Sequence, residues 1–422
     1  MTTKQQSSSM GPIIIIGILF FVFGFVTWLN ATLIPYLKIS CELTSFESYL
    51  VTMAFYISYF VMALPSSYIL NKVGFKNGMA LGLLTMAGGA LVFIPAALTR
   101  EYSYFLIGLF VQGTGLAILQ TAANPYVTIV GPIESAAKRI SIMGVANKVA
   151  GILSPIILGA IVLDGTDELV KQLTTMDAVQ KAAELDALSA KVMMPYIVIA
   201  VALVGLAAFV KLSNLPDIEA EDDTVENDSA NNKTSVLQYP NLVLGVIALF
   251  LYVGAEVIAV DTLISYGSTL GFEMREAKFF SSFTLGAMIF GYFLGIALIP
   301  KVISQSKALM IASVLGIVFV IIALTTSGYT SILFIAALGL ANSIMWPAIW
   351  PLAISGLGKY TKQGSALLVM AIAGGAIMPL LYGALSSENL WGSQMSYIIL
   401  IPSYLFILFY AWLQGRNEKE TV

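Results

Sequence analysis

Histidine is absent from this 422-residue chain, and cysteine occurs once, as Cys41. The first absence removes the commonest metal ligand and the side chain that ordinarily titrates near neutral pH. The second excludes a disulfide or a thiolate metal cluster within these residues. Charge is scarce as well: 11% of residues are Asp, Glu, Lys or Arg, against about a quarter in ordinary soluble domains. The formal net charge of −3 is spread thinly and points to no polyanionic partner, nucleic acid included. No HExxH, no Ser/Lys dyad in context and no metal-ligand cluster is present, so the sequence reads as neither an enzyme nor a cofactor binder.

What is abundant is apolar. Hydrophobic residues make up 58% and the mean hydropathy is +0.88, which marks a polytopic membrane protein with the lipid bilayer as its solvent. A window of roughly 20 apolar residues per crossing picks out twelve segments, at 12–37, 48–70, 78–98, 103–130, 140–163, 193–212, 240–266, 277–300, 308–326, 330–356, 364–385 and 394–414. The first follows the polar MTTKQQSSSM, is too long for a signal-peptide core and lacks a small-residue cleavage site, so it reads as a span. Two connections are long. Residues 164–192 read as a soluble, partly helical excursion, and 213–239 contain DIEAEDDTVENDSANNK, an acidic linker of disordered character. The expected organisation is therefore a six-helix bundle over 1–212, a cytoplasmic linker, and a second six-helix bundle over 240–422. With the N-terminus inside, thirteen Lys and Arg fall on the cytoplasmic side and seven outside, which favours both termini inside.

The halves repeat each other. TLIPY (32–36) lies over TLISY (262–266), Lys72-Val73 over Lys301-Val302, and Gly113 and Pro125 over Gly339 and Pro351. Lys138, Ser141, Gly151, Pro155 and Gly159 lie over Lys362, Ser365, Gly375, Pro379 and Gly383, with offsets drifting only from 230 to 224. Two such halves predict an all-α membrane fold of twelve helices in two pseudo-symmetric bundles, with alternating access and a site at the repeat interface.

Inside the spans, Glu256 and Asp261 are the only acids, and a carboxylate at a helix centre costs about 2.5–3.5 kcal/mol on insertion scales. Five residues at about 100° each place them some 140° apart on a regular helix, so both face one ligand only if the helix is broken, for which Gly254 and Gly267 offer points. Lys148 is the one basic residue deep in a span; it either snorkels to the near surface, pairs with an acid, or lines a cavity. Amides and indoles complete the candidate set: Trp28, Asn30, Gln120, Asn124, Asn147, Asn342, Trp346 and Trp350. Amides offer paired donors and acceptors suited to vicinal hydroxyls, and indoles suit the apolar face of a sugar ring. Interhelical hydrogen bonding and interfacial tryptophan belts are the competing uses. A drug or lipophile antiporter would favour a more apolar cavity than this set provides.

Three stretches carry a resemblance: FFVFGFVTWLNATLIPYL, LQTAANPYVTIVGP followed by ESAAKRISIMGVANKVAG, and YVGAEV. They resemble the fucose permease and glucose/galactose transporter group of the major facilitator superfamily, closer to the glucose/galactose branch, across essentially all twelve spans. NKVGFKNG looks like a degenerate copy of that superfamily's cytoplasmic loop motif. The resemblance implies a monosaccharide symporter for an aldohexose such as glucose or galactose, monomeric, in a bacterial inner membrane, with an uncoupled facilitator as the alternative. The chain departs from the pattern at two points. The fucose permease group has an Asp after the first-span Asn and a Glu before TAANP; here Ala31 and Gln120 stand there, so neither carboxylate carries over, while Asn147 does match.

The repeat sets Ala31 opposite Asp261, so the acid missing from span one reappears at its symmetry mate in span seven. The expected roles follow. Asn30, Gln120, Asn124, Asn147, Asn342 and Glu256 bind hydroxyls, Trp346 or Trp350 stacks on the ring, and Asp261 with Glu256 couples the cation. Asp261, Thr262 and Ser265 with Thr27 or Asn30 offer oxygens for Na+, which is the coupling ion expected here ahead of H+.

Overall fold

The computed structural model describes residues 10–129, 136–213, 215, 235–299, 302–357, 360–387 and 390–420. Among them are twelve helices long and apolar enough to cross a membrane: Gly11–Ser40, Leu50–Val73, Phe75–Thr99, Tyr102–Asn124, Ile142–Val162, Ala178–Leu212, Pro240–Asp261, Met274–Leu298, Gln305–Thr325, Gly328–Ile354, Gln363–Leu385 and Gly392–Arg416. They are called spans 1 to 12. Most of the acidic linker lies outside the described residues.

Spans pack within their own half first. Spans 2, 3, 4 and 6 pack together, and span 1 runs along span 5. Spans 8, 9, 10 and 12 form the matching group, with span 7 against span 11. The repeat read from the sequence is visible in this packing. A methyl group at Gly113 would strike the Phe55 carbonyl of span 2, and one at Gly339 the Thr284 carbonyl of span 8. Phe55 and Thr284 are themselves 229 residues apart, the spacing of Lys72 and Lys301. Each half thus uses a glycine to let its fourth span approach its second, as small residues do where helices associate in lipid.

Among the described residues, spans 1, 10 and 11 are interrupted in mid-course and span 7 at its end. Span 1 breaks between Met10–Thr27 and Asn30–Ser40, span 7 between Pro240–Asp261 and Leu263–Thr269, and span 10 between Gly328–Asn342 and Met345–Ile354. Span 11 tightens over Ala371–Ala373. Gly254 and Gly267 do not supply the break in span 7. It falls at Thr262, where three successive carbonyls are met by hydroxyls: Ile258 by Thr262 (2.7 Å), Ala259 by Thr284 (3.0 Å) and Val260 by Ser281 (2.6 Å). In hydrocarbon a helix is interrupted only where its freed backbone groups find partners, and span 8 provides them for Ala259 and Val260. Gly254 instead allows close approach of Met378 in span 11.

The 164–192 excursion is more ordered than a loop. It forms helices Thr166–Leu173 and Ala178–Ala190, the latter leading into the apolar part of span 6 at Met193–Leu212 and capped by Asp177, whose carboxylate accepts from the Val179 and Gln180 N–H groups at 2.9 and 2.8 Å. Tyr36 donates to the carbonyls of Leu188 and Ser189, and Asp186 pairs with Arg100 at 3.4 Å. The excursion is therefore docked on the first half. Among the described residues, one hydrogen bond of the excursion leaves that half: the Asp167 carboxylate accepts the Met274 N–H of span 8 at 2.8 Å.

The same end is closed by aromatic rings. Tyr49, just before span 2, meets Tyr382 of span 11 edge-on at 5.5 Å, Tyr382 meets Tyr397 at 4.9 Å, and Tyr397 meets Tyr266 at 5.2 Å. A methyl group at Gly383 would enter the Tyr49 ring. This plug joins the two halves beside the excursion.

Candidate functional site

The helix interruptions gather the chemistry. Trp28 and Asn30 flank the break in span 1, Asp261 precedes the one in span 7, and Asn342 and Trp346 flank the one in span 10.

At the centre, Lys148 of span 5 donates to Glu256 of span 7 at 2.7 Å, with 8% and 10% of their side chains exposed. Lys148 does not snorkel. Its ammonium lies 4.5 Å from the centroid of the Trp28 ring, a cation–π distance. Gly151 makes room for that indole, which packs with Val260, Leu285 and Met288. The pair bridges the two halves across a desolvated interface, where breaking it by removing one partner costs about 3–5 kcal/mol.

Around Glu256 stand phenols. They are Tyr252, Tyr292, Tyr404 and Tyr56. Tyr404 also donates to Asn342 Oδ1 at 2.9 Å, which leaves the Asn342 amide nitrogen without a partner. Tyr252 tilts toward Trp346 at 6.5 Å, and Trp346 stacks on Trp350 at 5.4 Å. Glu256, Asn342, Trp346 and Trp350 therefore belong to one lining, joined by tyrosines.

Asp261 is different. It is fully buried and neither carboxylate oxygen has a hydrogen-bond partner. Asn30 is 1% exposed with both amide atoms unpartnered, and Ser265 Oγ and Tyr56 Oη are also buried without partners. Thr262, the chain neighbour of Asp261, bonds the Tyr397 hydroxyl of the plug at 2.6 Å, so the acid sits beside the tyrosine plug. Buried polar groups are nearly always satisfied; a set left open marks a place built for something else.

The remaining expected residues are less central. Gln120 is half-buried and donates to Tyr59 Oη at 3.0 Å, and Tyr59 stacks on Tyr56. Asn147 spends its amide on the Phe20 carbonyl of span 1 at 3.4 Å, so it works in helix packing. Asn124 is exposed and stands apart from the buried set. The sodium set is only partly assembled: the Thr262 hydroxyl is taken by Ile258 and by Tyr397 at 2.6 Å, while Ser265 and Thr27 are half-buried.

The tyrosines are what residue-type reasoning about amides passed over. Among the described residues, nine of the twelve largest fully buried side chains are tyrosine. The signal was nineteen tyrosines in a chain of spans, each a hydroxyl that must find a use in hydrocarbon.

Two six-span halves, broken helices at their interface and charges buried between them define a membrane carrier rather than an enzyme. The chain belongs to the Major Facilitator Superfamily, whose profile matches residues 16–377. It is 35% identical over 419 residues to the glucose/galactose transporter of Brucella abortus, covering 98% of this chain and 97% of that one. It is 28% identical to the L-fucose-proton symporter of Escherichia coli, covering 99% and 95%. The crystal structure of FucP in the outward conformation superimposes with a TM-score of 0.71 at 26% identity, covering 96% of this chain and 99% of FucP.

Proposed function

We propose that this protein takes up a monosaccharide of the aldohexose class together with one cation by alternating access. The observation that carries the reading is Asp261, a fully buried carboxylate without a partner beside the interface of the two halves. An isolated buried carboxylate is strongly unfavourable unless neutralised, so binding a cation there is coupled to closing the protein around it. The names of the relatives, glucose/galactose transporter and L-fucose-proton symporter, support the substrate class and the coupling. The excursion end faces outward and both termini face the cytoplasm of a bacterial inner membrane, as the Lys and Arg distribution supports.

The cation we favour is H+ rather than Na+. A sodium ion asks for several oxygens in place of its hydration shell, and the Thr262 hydroxyl expected among them is engaged elsewhere. Ser265, whose hydroxyl is buried and unpartnered close to Asp261 in sequence, is the observation on the side of sodium. The sugar lies against Trp346, Trp350 and Asn342 in the second half, with Asn30 and Gln120 opposite and Glu256 between them.

The test is sugar counterflow in proteoliposomes against a panel of hexoses, with sodium and pH varied independently. Competition by glucose or galactose and dependence on pH at constant sodium are expected. Counterflow indifferent to every hexose would remove the substrate assignment, and uptake that follows sodium at fixed pH would replace the proton.

A further inference from the structure

Among the described residues, Arg139 and Lys148 are the buried basic side chains. Arg139 donates to the Val127 carbonyl. Lys148 faces Glu256 and cancels its charge. The other titratable groups around Glu256 are the phenols of Tyr56, Tyr252, Tyr292 and Tyr404, uncharged near neutral pH, and Asp261 one and a half turns further on.

The charges then add up in a definite way. In the empty site Lys148 and Glu256 sum to zero, and Asp261 alone is uncompensated. One cation makes the interface neutral. Without Lys148 the same interface holds two uncompensated carboxylates, and closing it then requires two cations, because an unpaired charge in a buried site is the costly case.

We propose that Lys148 fixes the number of protons carried per sugar at one by serving as a built-in cation for Glu256. It acts through Glu256 and is a positioning and stoichiometry-setting residue. The Trp28 face holds its ammonium in place at 4.5 Å, which keeps the lysine on the acid without adding a second charge. The proposal rests on the assignment of the coupled proton to Asp261.

The experiment measures the steady sugar ratio across proteoliposomes in a tenfold proton gradient with the membrane potential clamped at zero. One proton per sugar sustains about a tenfold ratio and two sustain about a hundredfold ratio, each tenfold being one proton's worth of driving force. The unmodified protein is expected at the lower ratio and Lys148→Gln at the higher. A Lys148→Gln protein that still stops at the lower ratio overturns the proposal. If Lys148→Gln folds without transporting, calorimetry of sugar binding in buffers of different ionisation enthalpy counts the protons instead. One more proton per sugar than the unmodified protein is expected, and an equal number overturns the proposal. Where Lys148→Gln does not fold, Lys148→Gln/Glu256→Gln is read in its place. It is expected to take up one proton per sugar, at whatever rate it transports; two, or none, overturns the role. Normal accumulation by Asp261→Asn would remove the Asp261 assignment separately, since the comparison across Lys148 variants reads only the pair.

Discussion

Gly339 meets the backbone carbonyl of Thr284 so closely that a single added methyl group has no room. Its counterpart Gly113 stands in the same relation to Phe55. Alanine at either position pushes two helices apart, at about 1–3 kcal/mol for overpacking. Both variants are expected to lower the melting temperature in detergent by similar amounts. Gly88, with nothing near its missing side chain, is the control and its alanine variant melts as the unmodified protein does.

Asp261→Asn keeps the shape and removes the charge. Uphill accumulation is expected to vanish while sugar exchange across the membrane continues, because the neutral amide mimics the loaded carrier. The measurement is uptake against counterflow in the same vesicles. Full accumulation by this variant would move the coupling elsewhere.

Tyr404→Phe removes the donor to Asn342 Oδ1. A buried hydrogen bond of this kind contributes about 0.5–1.5 kcal/mol net, and an orphaned acceptor costs more. The expectation is a several-fold rise in the half-saturating sugar concentration together with a loss of stability of about 1–3 kcal/mol. Equal losses of stability in Tyr404→Phe and Asn342→Ala, without a change in sugar binding, would assign the bond to packing alone.

Glu47 gives the pH dependence at the excursion end. Its carboxylate accepts from the Thr44 N–H and hydroxyl at 2.8 and 2.7 Å, while Thr44 Oγ1 accepts the Glu47 N–H, a reciprocal cap before span 2. These bonds hold the Glu47 carboxyl below its usual range. A depressed acid contributes stability that is present above its unfolded value and is lost as pH falls through the folded one. Hydrogen exchange of the Thr44–Ser48 turn is therefore expected to quicken only in the acid range below the ordinary glutamate value. Glu47→Gln should show a flat profile there.

Much of this architecture was legible in residue type and spacing. Runs of apolar residues placed the twelve spans because lipid leaves a helix no alternative, and paired glycines and prolines exposed the repeat because both halves solve one packing problem. Glu256, Asp261 and Lys148 stood out because charge in hydrocarbon is conspicuous. What the spacing could not convey was partnership across 108 residues: whether Lys148 reaches water or Glu256 depends on how the halves are set against each other. The break in span 7 was misplaced for a related reason. Glycine suggested local weakness at 254 and 267, whereas the helix yields where Ser281 and Thr284 of a neighbouring span accommodate its carbonyls. The tyrosine lining was hidden because a tyrosine in a span looks apolar until its hydroxyl's partner is known.

The Asp167–Met274 bond has a practical side. The excursion rides on the first half through Tyr36 and Arg100, and among the described residues its hydrogen bond to the second half is this one, from a half-buried helix residue. A binding protein raised against the docked excursion is expected to clamp that joint and arrest the carrier. Uptake would then be blocked by an agent that never enters the membrane or competes with sugar, which makes this helical pair a handle for inhibitors and for trapping one conformation for imaging.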